Sequence, residues 1–173
     1  MCEEREMYYS TVYLSPIGML TLVSHKEKLI GLWIEGQKHS AITVLGKIMH
    51  KDDVPVLEKS KAWLKRYFLG ENPKISELSL SPIGSKFRQE VWQILCEIPY
   101  GEVTTYGAIA KIMAFRMGKE KMSAQAIGGA VAHNPIPIII PCHRVIGANG
   151  SLTGYSGGID KKVSLLKLEG YDV

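Results

Sequence analysis

Short apolar runs broken by turn residues occupy the first part of the chain, and they predict strands. Tyr9 to Leu14 reads as one strand, Ser15-Pro16-Ile17-Gly18 as a turn, and Met19 to Val23 as a second strand. The polar stretch Ser24 to Lys28 turns the chain into a third, Leu29 to Ile34. From Pro55 the apolar spacing becomes helical. Leu57, Leu64 and Phe68 share one side, Trp63 and Tyr67 lie beside them, and Gly70 and Pro73 stop the helix. No clustered chemistry shows in this half, so a scaffolding role is expected for it. Residues 69–84 read as a linker.

The second half is patterned for short helices. Ser85 is an N-cap for a helix through about Glu97, with Phe87, Val91, Trp92, Leu95 and Ile98 as its buried stripe and Cys96 as a small core side chain. Pro99-Tyr100-Gly101 breaks the chain. Thr105 then caps a helix from Tyr106 to Met113, whose Ile109, Ile112 and Met113 face inward, and a loop with Arg116, Lys119 and Lys121 follows. Ser123 caps the next helix, Ala124 to Ala132, ended by Asn134-Pro135, and the pair reads as a helix-turn-helix. Ala124, Ala126, Gly128, Gly129, Ala130 and Ala132 leave that second helix almost without bulk, and each glycine costs roughly 1 kcal/mol relative to alanine. Either tight packing in the core or close approach of a narrow nucleic-acid groove accounts for tolerating this. A last helix carries Ile159, Val163 and Leu166 on one face, with Asp160 as cap or first-turn acid, and ends at Leu168-Glu169-Gly170.

At 173 residues, 46% of them apolar, the chain holds one or two small domains with a real core. The expected class is α/β (α+β): a β-sheet-plus-helix domain over residues 1–80 and a mostly helical domain over 81–173. No apolar run approaches a membrane span, and the start Met1-Cys2-Glu3-Glu4-Arg5-Glu6 is too acidic for a secretory signal. A cytoplasmic protein with no membrane partner is expected. Three cysteines without CxxC spacing suggest neither a disulfide framework nor a zinc site, and Cys2 reads as an inconsequential thiol. The five histidines, His39 among them, do not pair with cysteines at ligand spacing, so no metal is expected. The net charge of +4 divides into +1 over residues 1–80 and +3 over 81–173. That places any polyanion-binding surface in the second half, though many ordinary domains have as much bias.

The run Ile138-Ile139-Ile140-Pro141-Cys142-His143-Arg144-Val145-Ile146 sets one cysteine at the end of an apolar segment, beside a histidine and an arginine. A structural cysteine gains nothing from basic neighbours. A nucleophilic one does, because the thiolate is the reactive form. Cys142, His143 and Glu169 are the residue types of a thiol nucleophile, a base and a carboxylate that orients the base. Adjacent residues of an extended chain point to opposite faces, so a bridging water is expected between Cys142 and His143. Gly147 to Gly158 form a Gly/Ser/Asn-rich loop suited to closing over a small group. The spacing allows either a thiol hydrolase or a thiol alkyl acceptor.

Pro141-Cys142-His143-Arg144-Val145 resembles the PCHRV motif of the O6-alkylguanine-DNA alkyltransferases. The resemblance extends through Gly101-Glu102-Val103-Thr104-Thr105-Tyr106, Ala126-Ile127-Gly128-Gly129-Ala130, Asn134-Pro135, Gly154-Tyr155-Ser156-Gly157-Gly158, Leu165-Leu166 and Glu169-Gly170, and so covers residues 85–170. It implies direct, irreversible, single-turnover transfer of the alkyl group from guanine O6 to Cys142 after base flipping, with no cofactor and no metal. O4-alkylthymine is a further candidate substrate. By the same resemblance His143 acts through a water as base, Glu169 orients it, and Asn134 bridges the helix-turn-helix to the active-site segment. Tyr106 crowds the target phosphate and protonates the leaving guanine. Backbone groups at Cys142 and Val145 read the guanine amino edge, Tyr155 and Ser156 line the loop over O6, and Lys162 lies near that loop. Thr105, Ser123, Ala124, Gln125, Ala126, Gly128, Gly129 and Ala132 are the DNA-facing set. The partner implied is double-stranded DNA containing O6-alkylguanine, bound by a monomer.

One position departs from the family pattern. Many members carry an arginine in the second helix that fills the space left by the flipped base, and Gln125 stands there in this chain. Glutamine is shorter and uncharged, so weaker DNA affinity is expected, with Arg116, Lys119 and Lys121 as possible compensation. The rival readings are a non-catalytic protein that only recognises alkylated DNA, whose relatives lack the cysteine, and a cysteine hydrolase, which would turn over repeatedly.

Overall fold

The computed structural model describes residues 7–37, 47–152 and 154–173. Cys2, with the rest of the acidic start, His39 and Thr153 of the glycine-rich loop lie outside the described residues. The first half builds one sheet. Strands β1 (Tyr8–Ser15), β2 (Gly18–His25) and β3 (Lys28–Ile34) form an antiparallel meander, and β4 (Ile48–His50) adds in parallel to β1, giving the order β3-β2-β1-β4. The β2–β3 turn is shorter than the polar stretch suggests, because Ser24 and His25 belong to β2, and Ser24 is fully buried.

Helix α1 (Pro55–Phe68) starts with proline at its first position, where the missing N–H is no loss. It packs Leu57, Leu64 and Tyr67 against strands β1 to β3. The linker is firmly attached: the Leu29 amide donates to the Ser79 carbonyl at 2.9 Å and the Ser81 amide to the Leu29 carbonyl at 2.9 Å.

In the second half, α2 (Lys86–Cys96) is capped by Ser85. A two-stranded parallel pair joins β5 (Thr104–Thr105) to β6 (Val145–Ile146). Helices α3 (Tyr106–Arg116) and α4 (Ala124–Ala132) are capped by Thr105 and Ser123 and pack together, and α5 (Ile159–Leu168) closes the chain. Three readings change here. Ile112 is 39% exposed rather than inward-facing, and Ile159 is 51% exposed. Helix α3 runs on to Arg116, so that arginine sits in its last turn, ion-paired with Glu97 at 3.3 Å, and not in the loop. Of the two places open to Asp160, the structure selects the first-turn acid, and Gly158 holds the cap position.

The apolar core runs unbroken from the sheet and α1 (Leu20, Leu57, Tyr67) through Trp92 and Ile109 to Cys142 and Leu165. Trp92 is its largest fully buried side chain and donates its indole N–H to the Ala130 carbonyl at 2.9 Å, tying α2 to α4. Gly84 lies against this ring so closely that a Cβ there would come 2.4 Å from Trp92 Cη2. Gly84→Ala is therefore expected to destabilise by about 1–3 kcal/mol through overpacking, read as a lower midpoint in a thermal melt. Among the described residues, no helix is long and apolar enough to cross a membrane.

Candidate active site

The segment Ile136 to Arg144 is not extended. Ile138 adopts φ +73°, a costly backbone for a β-branched residue, and the chain coils through amide–carbonyl bonds from Ile139 to Pro137, Ile140 to Ile136 and Cys142 to Ile140. Cys142–Arg144 then form a single 3-10 turn. The extended backbone expected at Cys142 and His143 is therefore not formed: the prolines and the inverted Ile138 replace a strand with a turn, while no hydrogen bond joins the two side chains among the described residues. The β5–β6 pairing, Thr104 with Val145 and Thr105 with Ile146, brings the start of α3, and hence Tyr106, to this turn. Asn134 is buried; its amide nitrogen donates to the Ile140 carbonyl at 2.8 Å, and its side-chain oxygen accepts from the Ile136 amide at 3.0 Å. It clamps the coil that presents the cysteine to the end of α4.

Glu169, just past α5, collects the polar groups. His143 Nε2 lies 2.5 Å from its Oε2, and Arg144 Nε donates to Oε1 at 2.8 Å. Arg144 Nη2 and the Tyr67 hydroxyl reach Oε2 at 3.2 and 2.5 Å, and the Gly101 amide reaches Oε1 at 3.1 Å. Gly101 has φ +81°, and a Cβ would stand 2.9 Å from the Glu169 carbonyl oxygen, so only glycine fits. Burial alone would raise the Glu169 pKa, but the hydrogen bonds from His143 and Arg144, the Arg144 charge and, once it protonates in acid, the His143 charge prevail and hold it at about 2. The acid that the helix dipole disfavours at this end is thus satisfied by five donors.

An ionised Glu169 accepts only, so His143 donates through Nε2–H. Its Nδ1 is then unprotonated, buried and without a hydrogen-bond partner. Burial, joined by the Arg144 and Lys162 charges, lowers the His143 pKa against the pull of Glu169, which keeps the imidazole neutral at physiological pH. The Cys142 thiol is pushed up to about 11 by burial, against the opposing pull of the Asn134 amide and the Lys162 charge. Lys162, 1% exposed, donates from Nζ to the Val145 carbonyl at 2.5 Å. The cation acting on the thiol is Lys162; Arg144, although adjacent in sequence, spends its guanidinium on Glu169 and on the Ile98 carbonyl at 2.6 Å.

Tyr106 is half-buried with its hydroxyl 3.3 Å from where a Gly154 Cβ would stand, and burial followed by the Cys142 charge keeps it protonated. Tyr155 is buried and Ser156 half-buried on the loop that follows β6. Val145 is fully buried. Thr105 is a half-buried cap, while Ser123, Ala124, Gln125, Ala126 and Gly129 are exposed, and Gly128 and Ala132 are half-buried. A Cβ added at Gly129 would meet nothing within 4 Å, and one at Gly128 only the Tyr106 ring at 4.0 Å. Tight packing in the core is therefore not why these glycines are present. The face is open. Among the described residues, no group of three or more His, Cys, Asp or Glu is placed to hold a metal.

Two participants escaped the sequence reading. Tyr67 comes from the half expected to be scaffold only; as an aromatic at helical spacing it reads as core. Arg144 announces its charge by adjacency, but nothing local reveals that it serves Glu169.

Comparison with known proteins agrees with this geometry. Residues 86–171 match the family described as 6-O-methylguanine DNA methyltransferase, DNA binding domain, and residues 7–82 match its ribonuclease-like domain. The chain is 53% identical over 163 residues to a methylated-DNA–protein-cysteine methyltransferase of Methanosarcina mazei, covering 94% of this chain and 97% of that one. It is 41% identical over 161 residues to one of Haemophilus influenzae, covering 93% and 86%. Among solved structures, Mycobacterium tuberculosis OGT in complex with DNA superposes with a TM-score of 0.77 at 40% identity, covering 94% of this chain and 92% of that one.

Proposed function

The chain belongs to the 6-O-methylguanine DNA methyltransferase family, whose activity is alkyl-transfer DNA repair, and from that premise we propose that Cys142 accepts the alkyl group once, irreversibly, from a guanine that has left the duplex stack. The observation that carries this reading is the pairing of a buried thiol with a buried imidazole whose Nε2 is held by Glu169 and whose Nδ1 is free to accept a proton. At neutral pH a thiol pushed up to about 11 is almost wholly protonated and needs that base.

The proton leaves Cys142 Sγ for His143 Nδ1 through a water, and the thiolate attacks the O6-bound carbon. The C–O bond breaks with its electron pair going to the guanine, a thioether forms, and the Tyr106 hydroxyl supplies the proton that the guanine needs. Lys162 lowers the cost of the thiolate and fixes the Val145 carbonyl that, with Cys142, faces the guanine amino edge. Tyr155 and Ser156 line the loop over O6. Residues 81–173 perform this chemistry on O6-alkylguanine in duplex DNA, as a cytoplasmic monomer, with residues 1–80 as the β-rich domain behind them.

Base flipping is required because O6 of a stacked guanine is out of reach of the sulfur of a cysteine that is 4% exposed, and the cost is lower for a poorly paired lesion. The open Ala/Gly face of α4 suits a minor groove, which carries little sequence information, so damage selects the site. The test is stoichiometry: with excess lesion duplex, restored guanine levels off at one per protein, whereas a hydrolase would continue.

Gln125 is exposed in the first turn of α4, with Ser123 capping the helix beneath it. Gln125→Arg, measured in a Cys142→Ala background so that no transfer intervenes, is expected to tighten binding to an O6-methylguanine duplex by about threefold to tenfold through the added charge. Fluorescence anisotropy reads this directly, and equal affinities would remove Gln125 from the DNA interface.

A further inference from the structure

We propose that Tyr67, supplied by α1 of the first half, is a positioning residue of the transfer site: its hydroxyl holds Glu169 Oε2 and so sets how Glu169 presents His143 to the thiol. The inference rests on the reading of Cys142 and His143 given above. The Tyr67 hydroxyl lies 2.5 Å from Glu169 Oε2 and 3.4 Å from His143 Nε2. It therefore donates to the same carboxylate oxygen that accepts from the imidazole. Three donors meet at that oxygen, because Arg144 Nη2 also reaches it at 3.2 Å; they share about two lone-pair sites, and each weakens what the others receive. Tyr67 thus limits the pull of Glu169 on His143 while fixing the plane of the carboxylate.

The tyrosine itself is held firmly. Trp63 stacks on its ring at 5.6 Å and 6°, Tyr100 meets it edge-on at 6.2 Å, and Phe68 packs edge-on at 5.2 Å. Trp63 is anchored by its indole N–H on the Lys74 carbonyl at 2.9 Å, and the Arg144 guanidinium lies 5.8 Å from the Tyr100 ring centre. Burial, then the Glu169 charge, pushes the phenol far above its ordinary range, so it is a donor at every working pH. The charged and titratable groups that act on His143 are Tyr67 from α1, Arg144 from its own turn, and Lys162 and Glu169 from α5 and its end. Of these, Tyr67 is the one contributed by the first half of the chain, which makes that half part of the site.

Tyr67→Phe keeps the ring and its packing and deletes only the hydroxyl. With Tyr67 gone from Oε2, Glu169 turns its charge onto the imidazole, the imidazolium is stabilised, and His143 protonates at higher pH. In single-turnover transfer on an O6-methylguanine duplex, the acid limb of the rate profile is expected to move up by roughly half a pH unit. The rate at neutral pH is expected to fall about fivefold as the carboxylate loses a positioning bond. Lesion affinity should be unchanged, since Tyr67 is 1% exposed. The His143 Nε2–H proton resonance should move downfield. A variant with wild-type rate, acid limb and resonance, altered only in melting midpoint, would show a merely structural hydroxyl and overturn the inference. Wild-type protein in the same assay reports on the reaction itself: its failure to transfer would overturn the proposed function, and the inference with it.

Discussion

Cys142→Ala is expected to abolish alkyl transfer completely while leaving binding to lesion duplex intact. The loss is total because the thioether needs the sulfur; His143, Glu169 and Lys162 have nothing to activate without it. Cys96 does not substitute. It ends α2, half-buried, with burial pushing its thiol up to about 11, outside the network of Glu169 donors. The fold survives the change, since removing one buried sulfur leaves a small cavity costing on the order of 1 kcal/mol. Binding is expected to survive because Ser123, Ala124, Gln125 and Ala126, the face proposed to meet DNA, are exposed and the substitution does not touch them. Single-turnover kinetics and anisotropy on the same duplex check both halves. Residual repair by the variant would remove Cys142 as acceptor.

Glu169→Gln is expected to damage both stability and transfer. The carboxylate is fully buried and takes bonds from His143, Arg144, Tyr67 and Gly101. An amide in its place leaves the Arg144 charge uncompensated and turns one acceptor into a donor facing donors, a change that costs about 3–5 kcal/mol where a buried pair is broken. Transfer should slow by on the order of a hundredfold as the His143 tautomer is no longer fixed, within the range general-base catalysis supplies. The wild-type protein carries the matching pH signature. Glu169 is held down to about 2 from an ordinary 4.5, so its contribution, about 3 kcal/mol, is present above the unfolded carboxylate pKa and lost as pH falls from there towards 2. His143, lowered by burial, adds a loss that begins higher, as pH falls through its unfolded value near 6.5. Chemical denaturation from pH 7 down to pH 3 should show both phases in the wild type, and the variant should lack the lower one. A variant as stable as wild type at pH 7 would contradict the central place given to Glu169.

What was legible in the chain was what is local. Ser85, Thr105 and Ser123 cap helices because each side-chain oxygen meets amides two or three residues on, and that spacing is visible in sequence. Cys142, His143 and Glu169 stood out through their residue types and through a resemblance carried by several spaced blocks, and the structure joins His143 to Glu169. Long-range events were not. Strand β4 is three residues long and exists because β1 pairs with it. Ile112 and Ile159 fit a helical stripe yet face solvent, since periodicity does not say which neighbour arrives. The Cys142 turn looked extended because Ile138 at φ +73° has no sequence signal. Tyr67 meets Glu169 across 102 residues of chain, and an aromatic at helical spacing looks like core until its hydroxyl finds a partner.

The most direct measurement is the intact mass of the protein after incubation with a duplex carrying one O6-methylguanine, followed by peptide mapping. The predicted result is a single added methyl group, located on Cys142 and saturating at one equivalent of lesion. Unmodified protein together with restored guanine, or a methyl group on any other residue, would contradict direct transfer to Cys142.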